Sequence, residues 1–169
     1  MKIAIINRAV VGSGKSTMAK AIADLVGICT IHSTDEYFMV KGEYKFNPAK
    51  LGEYHGKNWK AFANDCEEGI DVVICDNTNI FTDHCKPYVD IAKENGYRVI
   101  QLFFEPDTLE AHLARNAHNV PKDGIERMIK GLQANRGSIG EDYAWVIQPH
   151  EFKEELLMIP QDIYALAKL

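Results

Sequence analysis

Short apolar runs alternate along the chain with longer segments whose apolar residues recur every three to four positions. Ile3 to Asn7 is a β-rich apolar run and predicts a buried strand. Ser16 to Val26 sets Met18, Ala21, Ile22 and Leu25 on one face of a predicted helix, and Gly27 marks its end. Ile28 to His32 predicts a second strand. Lys41 to Gly56 is polar and carries Gly42, Pro48, Gly52 and Gly56, so it reads as an excursion outside the sheet. A helix over Asn58 to Glu68 follows, stopped by Gly69. Val72 to Cys75 shows no alternation and predicts a strand buried on both faces. Thr82 to Glu94 predicts a helix, with Pro87 near its start or kinking it. Arg98 to Phe104 predicts a fourth strand and Thr108 to Arg115 a short helix. Pro121 opens a further helix to about Ala134, with Ile125, Met128, Ile129 and Leu132 as its apolar face. Beyond Gly137 the pattern weakens to a strand over Ala144 to Ile147 and a helix over Phe152 to Met158.

Strands alternating with helices imply parallel strands joined by right-handed crossovers, hence a three-layer α/β fold with a parallel sheet. Ligands in such folds sit beyond the carboxyl ends of the strands. The chemistry-bearing segments fall at those ends.

The first is Ala9-Val10-Val11-Gly12-Ser13-Gly14-Lys15-Ser16-Thr17. It fits the phosphate-loop pattern Gly-x-x-x-x-Gly-Lys-Ser/Thr, with Ala9 in place of the first glycine. Gly12 and Gly14 permit backbone angles that turn successive N–H groups inward onto phosphate oxygens. The following helix adds the positive end of its dipole. Lys15 supplies a cation for the β- and γ-phosphates, and the Ser16 hydroxyl is a hard ligand suited to Mg²⁺. A plain glycine turn would not need the lysine and the Ser-Thr pair between a strand and a helix. Gly12 to Thr17 is therefore expected to bind a nucleoside triphosphate with magnesium, read as ATP and Mg²⁺. No Asn-Lys-x-Asp guanine motif is present.

The second segment is Ser33-Thr34-Asp35-Glu36, after the second predicted strand. Asp35 there either accepts the proton of an attacking hydroxyl or serves as a helix cap or turn residue. The third is Asp76-Asn77-Thr78-Asn79, after the third predicted strand. Asp76 stands where a carboxylate holds Mg²⁺, and Thr78 and Asn79 are candidates to bind an acceptor. Asp and Asn also favour strand-end turns for their own reasons. The fourth is Arg115-Asn116, at the break between two helices. That pair reads as a lid over residues 115–136, with Arg115 able to reach the γ-phosphate.

Composition narrows the acceptor. The chain has 169 residues, the size of one domain, and reads as a single unit over 1–169. With 19 basic and 24 acidic residues the net charge is −5, which argues against tight nonspecific nucleic-acid binding. Of the five arginines (Arg8, Arg98, Arg115, Arg127 and Arg136) none follows Asp35 closely. A phosphate acceptor would call for arginines there, so a hydroxyl acceptor is favoured. No apolar run approaches the roughly 20 residues that cross a bilayer. Cys29, Cys66, Cys75 and Cys85 lack metal or redox spacing and read as reduced thiols of a cytoplasmic protein.

The phosphate loop, Ser33-Thr34-Asp35, Asp76-Asn77-Thr78-Asn79 and Arg115-Asn116 occur in an order that resembles the 5′-hydroxyl polynucleotide kinase domain of phage end-healing enzymes. Phe46-Asn47-Pro48 and Lys86-Pro87-Tyr88 make the chain similar also to small kinase-like ATPases related to the NEDD-binding proteins. The resemblance covers roughly residues 1 to 130. It implies transfer of the γ-phosphate of ATP to a 5′-hydroxyl nucleic-acid end. Lys15 and Ser16 would bind ATP and magnesium, Asp35 would be the general base, and Arg115 the lid arginine. Asp76 to Asn79 would lie at the acceptor side or the metal shell. Two departures bear on the acceptor. Phe38 stands where the phage kinases carry a phosphate-gripping arginine, and the lid reaches Val120-Pro121 without a second arginine. A kinase for a small hydroxyl-bearing molecule, such as a nucleoside or sugar, and an ATP-binding switch without an acceptor are the alternative readings.

Overall fold

The computed structural model describes residues 1–169. Five strands form one parallel sheet: β1 (Ile3–Arg8), β2 (Cys29–His32), β5 (Val72–Cys75), β6 (Arg98–Phe104) and β7 (Tyr143–Ile147). Their order is β2-β5-β1-β6-β7. Strand β1 is central because every residue of its apolar run can be buried. Ile3 and Ile5 face one layer, and Ala4 and Ile6 face the other, all at 0% exposure. The first layer holds α1 (Lys15–Val26) and α6 (Phe152–Ala167), through Met18, Ile22, Ile159 and Ile163. The second holds α2 (Leu51–Glu68) and α3 (Thr82–Glu94), through Phe62, Cys85, Tyr88 and Val89. Strand β5 is buried throughout, as its lack of alternation predicts.

The polar excursion is more ordered than its composition suggests. Met39–Val40 (β3) and Glu43–Tyr44 (β4) form a small antiparallel pair. Helix α2 then begins at Leu51 and not at Asn58, so Gly52 and Gly56 lie inside it. Each interior glycine costs about 1 kcal/mol relative to alanine. Aromatic packing offsets that cost: Phe38, 2% exposed, meets Tyr54 of α2 at 4.8 Å and Phe46 at 5.1 Å. Asn47 caps the turn at Pro48 by accepting from the Ala49 N–H at 3.0 Å.

Two further expectations shift. The buried face of α1 is Met18, Ala19 and Ile22, while Leu25 is 43% exposed. Packing of α6 against α1 turns the helix toward Ala19. The final segment is a full part of the fold: β7 completes the sheet and α6 runs to Ala167, well past Met158, with Pro160 buried inside it.

The two helices expected to form the lid are α4 (Leu109–Ala114) and α5 (Lys122–Ala134). Thr108 caps α4, accepting from the Ala111 N–H at 3.2 Å. Ile125 and Leu132 of α5 bury against Val10, Ile80 and Phe103, with Met128 and Ile129 half-buried beside them. Arg8 is fully buried at this junction. Its guanidinium donates to the carbonyls of Asn79 (3.0 Å), Ile80 (2.9 Å) and Asn135 (2.8 Å), and to Gln101 Oε1 (3.1 Å). Burial pulls its pKa below arginine's ordinary value.

Candidate active site

Strand β1 delivers the phosphate loop straight from the centre of the sheet into α1. Gly12 and Gly14 have φ of 73° and 93°, angles that L side chains avoid. Space is short for side chains there as well. A Cβ on Gly14 would lie 2.5 Å from the Phe152 ring, and one on Gly12 would lie 3.0 Å from Arg115 Cβ. The loop and Arg115 line a cavity of ≈ 380 Å³ together with Asp35 and His118.

Ser16 and Asp76 come together at the base of that loop. Ser16 Oγ donates to Asp76 Oδ2 at 2.7 Å, and Asn7 Nδ2 donates to Asp76 Oδ1 at 2.9 Å. Asp76 is 3% exposed, so these bonds are what orient the carboxylate. Two buried side-chain oxygens have no partner, Asn7 Oδ1 and Ser13 Oγ, and both belong to β1 and its loop. A buried hydroxyl without a partner, in a glycine loop that opens a helix, fits an incoming phosphate. Two hard oxygens 2.7 Å apart fit a magnesium ion that keeps water and phosphate as its other ligands.

Asp35 sits in a short 3₁₀ turn, Thr34–Phe38, after β2. Tyr44 OH from the β3–β4 hairpin donates to Asp35 Oδ1 at 3.2 Å, and His118 Nδ1 from the lid loop lies 3.5 Å from Oδ2. The loss of solvent, and then the carboxylate, push the Tyr44 phenol pKa up. On the far side of Asp35 is a second cavity of ≈ 340 Å³. Phe46, Leu51, Val120 and Met128 give it apolar walls, and Thr34, His55, Asn77 and Thr78 a polar end. No lysine or arginine lines it. Asn77 Oδ1 accepts from the Thr34 N–H at 2.9 Å, and Thr34 Oγ1 lies 3.0 Å from His55 Nδ1. Burial first, and then His84, lower the His55 pKa, while Asp35 raises it.

Asn79 and Arg115 also make contacts within the fold that their sequence neighbourhood does not announce. Asn79 is 4% exposed at φ 47°, and its amide donates to Asn7 O at 2.8 Å, so it holds the loop to β1. Thr78, half-buried, lines the cavity beside Asp35, and Thr78 and Asn79 both line a neighbouring groove. Arg115 lines the phosphate cavity, but its guanidinium donates to Asp107 at 2.8 Å. The Thr108 N–H and this arginine hold the Asp107 carboxyl below its ordinary range. Phe38 points into the aromatic cluster and takes no part in either cavity.

Composition and spacing gave no sign of Asn7, Tyr44 or His112. His112 is fully buried on α4; its Nδ1 lies 2.8 Å from Val11 O and its Nε2 accepts from the Asp107 N–H at 2.9 Å. The lid helix is thus tied to the phosphate loop itself. No cysteine is bonded to another, and burial pushes all four thiols up to about 12, which makes them poor nucleophiles.

A family model for an AAA domain matches residues 10–136, from the phosphate loop to just beyond α5. The chain belongs to this family. It is 38% identical over 136 residues to human NEDD4-binding protein 2, a match that covers 78% of this chain and 8% of that protein's length. Among solved structures it is similar to a chain of the Pnkp1/Rnl/Hen1 RNA repair complex, with a TM-score of 0.66, 19% identity and coverage of 80% of this chain and 45% of that one. Shikimate kinase from Bacteroides thetaiotaomicron aligns over 99% of both chains, with a TM-score of 0.60 and 15% identity. These neighbours share the P-loop kinase fold, a fold built to bind nucleotides, and kinases of quite different acceptors stand among them. No helix is long and apolar enough to cross a membrane.

Proposed function

We propose that the protein is an ATP-dependent phosphotransferase whose acceptor is the 5′-hydroxyl of a polynucleotide end. One observation carries the reading: Asp35 borders both the phosphate-loop cavity and the second cavity. A carboxylate between a triphosphate and an acceptor is where a general base must stand. Asp35 would take the proton of the acceptor hydroxyl as its oxygen bonds the γ-phosphorus and the bond to the β-phosphate oxygen breaks, releasing ADP. Lys15 and the Gly12–Thr17 amides would hold the triphosphate. Ser16 and Asp76 would hold magnesium, which when bound neutralises charge on the β- and γ-oxygens. Arg115 would leave Asp107 and turn to the transferring phosphate.

The lack of lysine and arginine around the second cavity supports a 5′-hydroxyl end. Such an end presents a neutral nucleoside to the base, with its first phosphate on the far, 3′ side. A carboxylate or phosphate on the acceptor beside Asp35 would be buried without a cation, which is costly. The cavity's ≈ 340 Å³ also suits a free nucleoside or neutral sugar, and this is the second reading. We take residues 1–169 as one kinase-like unit with its lid at 115–136, and its free thiols as fitting the cytoplasm.

The test is transfer of label from γ-labelled ATP with Mg²⁺ to 5′-hydroxyl DNA and RNA oligonucleotides, alongside Asp35→Ala and Lys15→Ala. Labelled oligonucleotide from the wild type alone is expected. Label on nucleosides or sugars but on no oligonucleotide would move the assignment to the second reading.

A further inference from the structure

The second cavity does not end at Thr78. His55, Asn77 and Thr78 also line a groove of ≈ 550 Å³ between α2 and α3. Its walls carry Trp59 from α2 and His84 and Pro87 from α3. Trp59 is 38% exposed, yet its ring is held: Nε1 donates to the Pro87 carbonyl at 3.1 Å, across the two helices. His84 is exposed beside it on α3, and Phe81, 47% exposed, meets His84 edge-on at 5.2 Å. None of these three rings belongs to a core cluster, so packing does not account for them.

We propose that this groove binds the second and following nucleotides of a single-stranded acceptor, with bases stacked on Trp59 and His84 and the terminal nucleoside beside Asp35. The proposal rests on the polynucleotide reading and extends it along the strand. Fixed, exposed rings offer unpaired bases a stacking surface, and paired bases have no free face to place there. Continuity at Thr78 gives the strand a path from the base to the rings. The groove has no lysine or arginine among its lining side chains and one carboxylate, Asp83. Stacking and not phosphate pairing must therefore supply the attraction, and the phosphates face solvent. Affinity should accordingly fall only gently with salt. A peptide would also find aromatic rings here, but the direct opening onto Asp35 favours the acceptor strand.

The test reads binding and transfer separately on the full chain. Binding is followed by anisotropy of a 3′-labelled, 5′-hydroxyl oligothymidylate of about eight units. Transfer is followed as KM for that oligonucleotide and for thymidine 3′-monophosphate, which is too short to enter the groove. Trp59→Ala and His84→Ala are each expected to weaken oligonucleotide binding and raise its KM about tenfold. Both should leave the KM of the short acceptor and ATP binding unchanged. Trp59→Phe, which keeps a ring, should recover most of the loss. No effect on the oligonucleotide, or equal effects on both acceptors, would overturn the groove. Wild-type protein that fails to bind the oligonucleotide overturns it too. Binding that depends on Trp59, with no label on any acceptor, would overturn the kinase reading and leave the groove standing.

Discussion

The ring of Tyr44 lies flat on the imidazole of His118, with centroids 3.9 Å apart and planes 8° from parallel, and both side chains reach the Asp35 carboxylate. The hairpin and the lid therefore meet directly over the proposed base. An acceptor hydroxyl would share the Asp35 carboxylate with the Tyr44 hydroxyl, since its two oxygens offer about four acceptor sites. Asp35→Asn is expected to lower kcat by about 10²- to 10⁴-fold. Tyr44→Phe keeps the stack and removes only that donor, so kcat should change less than about threefold. Steady-state transfer assays separate the two; a Tyr44→Phe loss as deep as that of Asp35→Asn would move the base role away from Asp35.

Asp76 is held by a serine of the phosphate loop and by the Asn7 amide. Asp76→Ala should remove the advantage that Mg²⁺ gives to ATP binding, read by calorimetry with and without the metal. It also strands a buried amide that already has one unpartnered oxygen, at a cost of about 1–3 kcal/mol in urea unfolding. Ser16→Ala should show the metal effect with a smaller stability loss, because Asn7 keeps its partner.

Gly14 meets two separate constraints, its backbone angle and the Phe152 ring. Gly14→Ala should destabilise the protein and abolish ATP binding. Adding Phe152→Ala relieves only the collision, leaving a residual cost of about 1–2 kcal/mol from the left-handed backbone. A double-mutant cycle in urea reads this as favourable coupling between the two changes. Zero coupling would mean that the ring moves aside freely.

His112 gives the fold a definite response to acid. Burial, followed by the nearby Arg115 charge, lowers its pKa, against the pull of the Val11 carbonyl and Asp107. Its neutral form uses Nε2 as an acceptor, and protonation would break that bond to the Asp107 N–H. A group whose folded pKa lies below its unfolded value binds fewer protons when folded. The stability it confers is complete above the unfolded value of about 6.5 and is lost as pH falls through it toward the folded value. His32 and His55 shift in the same direction, also chiefly through burial. Urea unfolding from pH 7.5 to 5 should show falling stability, with a shallower slope in His112→Gln.

The sheet strands were legible because a strand buried on both faces has no alternative to a continuous apolar run, as Val72–Cys75 illustrates. The phosphate loop was legible because its chemistry needs glycines, a lysine and a hydroxyl at fixed spacing. Helix α2 was misjudged at its start because the aromatic contacts of Phe38 with Tyr54 override two helix-weakening glycines, and such contacts have no local signature. Asn79 reads as a ligand residue by its neighbourhood; only the folded chain shows that its amide also donates to the Asn7 carbonyl, because that partner lies 72 positions away. Tyr44 gave no sign because it lies nine residues from Asp35, on a hairpin whose position only the folded chain defines.

Arg8 draws together residues 79, 80, 101 and 135, which lie 71 to 127 positions from it along the chain. None of those carbonyls is near it until the sheet has formed and the lid helices have docked. The bond to Asn135, 127 positions away, is therefore expected to form late in folding, after a long loop has closed. A residue of that kind acts on the lifetime of the native state more than on the speed of reaching it. Its removal should leave refolding rates nearly unchanged and open the fold faster, releasing the lid junction first.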